Sequence, residues 1–243
     1  MANGRAPRAT EPEIISAVAH ELHSPVAALK GAAEKLRSDE GLDASTRARL
    51  LDVIEQAGDH LLRLADDLAV ATLASGGRLA VVAQPCDAAA IAGNVLSAIR
   101  ASHRTAPGIA LVAPEGLPPV AADPARLRQV VANLVENALD HGGRSDGVTV
   151  TLSAGPTSLR IAVSDEGPGI PAEARERVFE PYEGLGPRAG SGLGLWVVRE
   201  LVTAMDGTVT LEAPPEGGAT FSVELPLAAP PVGPPRASTR CPA

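Results

Sequence analysis

I-S-A-V-A-H-E-L-H-S-P at residues 15–25 opens a pattern that decides the first half of the fold. Ile15, Val18, Leu22, Pro25, Leu29, Ala32 and Leu36 alternate steps of three and four, the spacing of one helix face. Thr10, with Glu13 three residues later, reads as the capping box that starts this helix. Residues 38–45, with Gly41 among them, form a turn, after which Leu50, Ile54, Ala57, Leu61, Leu64, Leu68 and Ala71 resume the same spacing. Two heptad-like helices with a short connection make an antiparallel hairpin. Such a hairpin buries only one stripe of side chains, so pairing of two chains into a four-helix bundle is the natural way to cover the other. Ser75, Gly76 and Gly77 end it.

Placing Ile15 at heptad position a and Val18 at d puts His20 at f, facing away from the seam. A histidine there has no packing duty and is free to react. Glu21 can accept one ring N–H, which orients the imidazole and leaves the other nitrogen as a nucleophile. Ser24 lies at i+4 from His20 and is its neighbour on the helix surface. Pro25 removes a backbone donor and predicts a kink just after this turn. His23 has no carboxylate following it and is the poorer acceptor, while His60 and His103 read as solvated side chains.

Beyond the hairpin the pattern changes. Strand-like stretches at 79–83, 109–112, 148–152, 159–163, 208–212 and 220–225 are interleaved with helical ones at about 87–102, 123–140 and 192–205. Asp123 followed by Pro124 is a good start for the middle helix. Strands gathered with helices on one side make an α+β chain whose second part is a two-layer α/β sandwich. The expected organisation is a disordered tail over 1–10, the helical hairpin over 11–76, the sandwich over 77–227 and a Pro-rich disordered tail over 228–243.

Three segments of the sandwich carry chemistry. In N-L-V-E-N at 133–137, Asn133, Asn137 and His141 recur every four residues and share one helix face. Asparagine costs helix propensity, so two stacked amides ask for a reason; their oxygens suit Mg²⁺, a hard ion. In D-E-G-P-G at 165–169, Asp165 can accept the amino group of adenine, while Gly167 and Gly169 allow close backbone approach. In G-S-G-L-G at 190–194, Gly190, Ser191, Gly192, Leu193 and Gly194 open an apolar helix whose free N–H groups suit phosphate. The short loop 183–189 between them reads as a lid, with Arg188 available for phosphate charge.

Composition narrows the field. A formal net charge of −8 argues against non-specific nucleic-acid binding. Cys86 and Cys241 make neither a disulfide framework nor a zinc site. No stretch approaches the roughly 20 apolar residues of a membrane span, and residues 1–13 have no apolar run, so the chain reads as soluble and cytoplasmic; nothing in it looks like a sensor, which leaves that part to a separate sensor protein or to a segment outside this sequence.

Taken together, the segments resemble the sensor histidine kinases of two-component systems over residues 11–226. A-H-E-L-H-S-P at 19–25 looks like the phosphoacceptor box, Asn133 and Asn137 the asparagine box, and the segments from Asp165 and Gly190 the two glycine boxes. V-F-E-P-Y at 178–182 looks like the phenylalanine box and G-A-T-F at 218–221 the closing strand motif. The resemblance implies a dimerisation and phosphoacceptor hairpin followed by an ATP-binding domain of GHKL type. It further implies ATP and Mg²⁺ as cofactors, a homodimer, autophosphorylation of His20, and transfer to an aspartate of a response regulator.

There are departures from the family pattern. His23 and Ser24 replace the usual Arg-Thr pair, Asp140 stands where a basic residue is common, and the loop before Gly190 is short with Arg188 as its basic residue. Asn133 occupies the position of the water-activating glutamate in the superfamily's ATPases, and an amide cannot serve as a general base. A GHKL ATPase or anti-sigma-type serine kinase is the neighbouring reading within the fold, against which residues 14–70 weigh. A catalytically weak dimeric scaffold that binds nucleotide and a receiver partner is the reading from another class.

Overall fold

The structure is a computed structural model that describes residues 11–39, 41–102, 108–142, 147–181, 192–214 and 217–229. Helix α1 spans Glu11–Ser38 and α2 spans Ala44–Ser75, packed as the antiparallel hairpin that the heptad spacing requires. The turn between them is fixed by Asp43, whose carboxylate caps α2 by accepting from the Thr46 N–H at 2.7 Å. A further hydrogen bond from the Ser45 hydroxyl helps hold this carboxyl down at about 2. Thr10, the expected cap of α1, lies outside the described residues, and α1 is helical on both sides of Pro25.

Of the heptad residues, Pro25, Ala32, Ala57 and Leu64 are buried in the single chain. Leu22 of the same pattern is not, nor are Val26, Leu51, Val53 and Leu62 outside it: they are 38%, 50%, 48%, 38% and 68% exposed. The hairpin thus carries an apolar surface that its own chain leaves uncovered. At its far end Gly77 takes φ +62°, a left-handed conformation that glycine adopts without steric cost, and the Arg78 N–H returns to the Leu73 carbonyl at 2.8 Å.

The second part has five strands in one sheet, ordered β2-β4-β5-β7-β6, from β2 (Ile109–Val112), β4 (Val148–Ala154), β5 (Ser158–Asp165), β6 (Thr208–Glu212) and β7 (Ala219–Pro226). Only the β2–β4 pair is parallel. Helices α3 (Ala88–Ser102), α4 (Pro124–His141) and α5 (Gly194–Ala204) pack side by side, α4 in the middle. Leu127, Val130, Val131, Leu134, Val135 and Ala138 of α4 are buried with Val150, Leu152, Leu159, Ile161, Val163, Phe221 and Val223 of the sheet. Each such Val, Leu, Ile or Phe side chain contributes roughly 1.5–3 kcal/mol by leaving water.

Two corrections concern 79–83 and the C-terminal boundary. Residues 79–83 are not a strand: the Val82 N–H is taken by the Asp123 carboxylate at 3.0 Å, which also caps α4. The strand lies just after, β1 (Gln84–Cys86), paired antiparallel to a short β3 (Val120–Ala122) that the sequence reading lacks. At the other end the folded region passes 227, because the Ala228 N–H donates to the Pro119 carbonyl at 2.8 Å. Residues 230–243 and 1–10 lie outside the described residues.

Candidate functional site

β5 alternates buried and half-buried residues along its whole length, so Leu159, Ile161, Val163 and Asp165 share the inward face. That phase, set by the apolar residues, delivers the Asp165 carboxylate to the end of the core, where it is 9% exposed. The chain then turns sharply and the Gly167 N–H donates back to Asp165 Oδ1 at 2.9 Å. A Cβ at position 167 would meet the His141 carbonyl at 2.7 Å and the Gly142 Cα at 2.8 Å, so this close approach requires glycine. Burial pushes the Asp165 carboxyl up, opposed by hydrogen bonds from Gly167 and Ala219.

Asp165 borders a cavity of about 300 Å³. Asn133, Glu136, Asn137, Asp140 and His141 of α4 form one wall. Gly192, Gly194 and Leu195 at the start of α5 form another, and Pro168, Gly169, Ile170, Val178 and Phe221 supply apolar surface. Gly169 and Gly192 take φ of +78° and +63°. The remaining wall belongs to the hairpin: Glu21 from α1, with His60, Arg63, Leu64 and Asp67 from α2. The cavity thus joins an apolar strip to the buried carboxylates of Asp165 and Asp67, an amide face and a glycine-led helix start.

Of the residues singled out from sequence, Glu21, Asn133, Asn137, Asp165, Gly169, Gly192 and Gly194 meet around this cavity. Gly167 shapes the turn behind it and Leu193 is buried beneath the start of α5. Ser24 is exposed and does not line it. His20 lies in α1, with its side chain outside the described residues, as are Arg188, Gly190 and Ser191 and the whole loop 183–189. His60 corrects the reading of a solvated side chain: it is half-buried on the cavity wall, and burial, then the Arg63 charge, pulls its pKa down.

Residues that sequence reasoning missed fasten the hairpin to the sandwich. Arg63 pairs with Glu136 at 2.6 Å, and Asp67 accepts from Gln129 at 2.9 Å and from Asn133 at 3.2 Å. Burial pushes the Glu136 carboxyl up to about 7 although Arg63 pulls it down, and burial likewise raises Asp67 against those two hydrogen bonds. The available signal was the polar stripe Gln129, Asn133, Glu136 and Asp140 along one side of α4, wider than two amides need.

Residues 13–76 match the family described as "His Kinase A (phospho-acceptor) domain", and residues 122–229 match "Histidine kinase-, DNA gyrase B-, and HSP90-like ATPase". The chain belongs to the sensor histidine kinases. Among its relatives within that family, "Probable sensor histidine kinase TcrY" of Mycobacterium tuberculosis is 35% identical over 222 residues, covering 88% of this chain and 46% of TcrY.

Solved structures share the fold as well. Full-length ShkA, solved in complex with AMPPNP, superposes with TM-score 0.62 at 30% identity, over 91% of this chain and 47% of ShkA. Histidine kinase ThkA, solved in complex with the response regulator protein TrrA, gives 0.62 at 25% identity, over 89% of this chain and 61% of ThkA. The chain spans between 14% and 57% of the length of curated relatives that it matches, 46% in the case of TcrY. Among the described residues, no helix of this histidine-kinase chain is long and apolar enough to cross a membrane.

Proposed function

We propose that this chain is an ATP-dependent protein histidine kinase that phosphorylates its own His20 and passes the phosphoryl group to an aspartate of a response-regulator receiver domain. The observation that carries the proposal is that Glu21, next to His20 on the acceptor helix, lines the same cavity as Asn133, Asn137 and Asp165. Donor-binding and acceptor-bearing walls face one space.

In this reading Asp165 accepts the amino group of adenine, the apolar wall of Ile170, Val178 and Phe221 covers the ring, and the glycine-rich segment 190–194 with Arg188 receives the phosphates. Two amide side chains beside several carboxylates form an oxygen donor set that fits Mg²⁺, with Asn137 and Asn133 holding it. Bound there, Mg²⁺ neutralises charge on the phosphates. Glu21 accepts one ring proton of His20, and the other nitrogen attacks the γ-phosphorus. The N–P bond forms as the β–γ bridging P–O bond breaks, and ADP leaves with the electron pair. Ser24 stands one turn along the helix, available to place a water that attacks the phosphorus of phosphorylated His20 and releases inorganic phosphate. Since ATP is the donor, the cytoplasm is the matching compartment. Direct ATP hydrolysis is disfavoured, because Asn133 cannot activate water as a glutamate would.

The transfer step has its own test. Label acquired by the chain from ATP, once nucleotide is removed, should move to a purified receiver domain and become hydroxylamine-sensitive, as an acyl phosphate is. Label that stays on the chain against every receiver domain of the source genome would argue for the scaffold reading instead.

The functional unit we propose is a homodimer through the hairpin. Leu22, Val26 and Leu62 are 38%, 50% and 68% exposed in one chain, and a second hairpin would cover them. Light scattering should give a dimer for the wild type. Leu22→Glu should give a folded monomer, because the carboxylate is solvated in one chain and desolvated only in the bundle. A wild type that stays monomeric at micromolar concentration would overturn this.

A further inference from the structure

Asp67 belongs to α2, outside the ATP-binding part of the chain, yet its carboxylate is 7% exposed and touches α4. Oδ1 accepts from Gln129 Nε2 at 2.9 Å and from Asn133 Nδ2 at 3.2 Å, and Oδ2 accepts from the same Nδ2 at 3.4 Å. The Gly194 carbonyl takes that amide from the other side, at 3.3 Å. A carboxylate and a carbonyl both accept, and a carboxamide has one donating end and one accepting end. Two acceptors gathered on one branch of Asn133 therefore fix that branch as NH₂. The oxygen is the branch left for a cation, and Asn133 lines the nucleotide cavity.

We propose that Asp67 is a positioning residue: by holding the Asn133 NH₂ it keeps the amide oxygen turned to Mg²⁺, so the metal site of the ATP-binding domain is complete only while α2 rests on α4. The inference depends on the metal role given above to Asn133 and Asn137. Gly194 alone is a weaker restraint, since a neutral carbonyl binds the amide less strongly than a carboxylate. The Arg63–Glu136 ion pair at 2.6 Å, one helical turn away on both helices, keeps the two surfaces in register. The hairpin would thus contribute the acceptor histidine and, through Asp67, the geometry of the metal.

The test is calorimetric titration of a non-hydrolysable ATP analogue into the full chain, once with Mg²⁺ and once with EDTA, for the wild type, Asp67→Ala, Asp67→Asn and Asn137→Ala. Asp67→Ala should leave the affinity in EDTA nearly unchanged and cut the Mg²⁺-dependent gain about tenfold, the usual size for losing a partner that orients a ligand. Asp67→Asn retains an oxygen able to accept from both amides and should restore most of the gain. A purely structural contact would lower both affinities together or leave their ratio as in the wild type, and either result overturns the proposal. So does an asparagine variant that behaves like alanine. Should Asp67→Ala not fold, Asp67→Ser, whose hydroxyl is too short to reach Asn133, is read in the same way. No Mg²⁺ gain in the wild type, or a gain kept in Asn137→Ala, would sink the metal reading itself. A gain lost in Asn137→Ala and kept in Asp67→Ala would sink only the role of Asp67.

Discussion

Incubated with Mg²⁺ and ATP labelled at the γ-phosphate, the wild-type chain is expected to gain label that is lost in acid and stable in alkali, and His20→Gln is expected to gain none above background. Glutamine preserves the helix and a polar surface but offers no nucleophilic nitrogen. The loss should therefore be complete rather than partial. His23→Gln should label like the wild type, since the side chain is exposed and no acidic residue follows it. Glu21→Gln should retain the acceptor but lose the group that takes the ring proton, slowing labelling by on the order of a hundredfold. Label that survives in His20→Gln would remove the assignment, and transfer of the loss to His23→Gln would relocate it.

Asp165→Ala and Asn137→Ala should fail in different ways. The first removes a buried carboxylate on the cavity wall. Losing a hydrogen bond to a charged group costs about 1.5–3 kcal/mol, so nucleotide affinity should fall on the order of tenfold to a hundredfold, with Mg²⁺ or with EDTA alike. Asn137→Ala leaves Asp165 in place and should bind nucleotide almost normally in EDTA, while losing the Mg²⁺-dependent gain and nearly all phosphorylation. Calorimetric titration with a non-hydrolysable analogue reads both. An Asn137→Ala variant with the metal dependence of the wild type would reduce that asparagine to a structural amide.

Much of this architecture is visible in local pattern. The three-and-four spacing of Ile15 to Leu36 and Leu50 to Ala71 yields both long helices, and Asp123 with Pro124 yields the start of α4 within a residue. Strands of five or more residues announce themselves by alternation, and that of β5 also carries Asp165 inward. β3 is three residues long, too short to display a period, and β1 is displaced from the Leu79–Ala83 run because Asp123 claims the Val82 N–H. What sequence cannot display is the second-helix wall of the site. Asp67 and Asn133 are 66 positions apart, and neither has a local anomaly that names the other. The same holds for His60: nothing near it in sequence signals that it borders the cavity.

The connection from Gly76 to Ala83 joins the acceptor hairpin to the nucleotide-binding sandwich, and Glu21 and Asn137 border one cavity within a single chain. On the function proposed, the entropy of bringing the two reactants together is lost once, when the chain folds, and not again at each turnover. Labelling then has the kinetic order of an isomerisation. Its rate follows the fraction of time that α2 lies against α4.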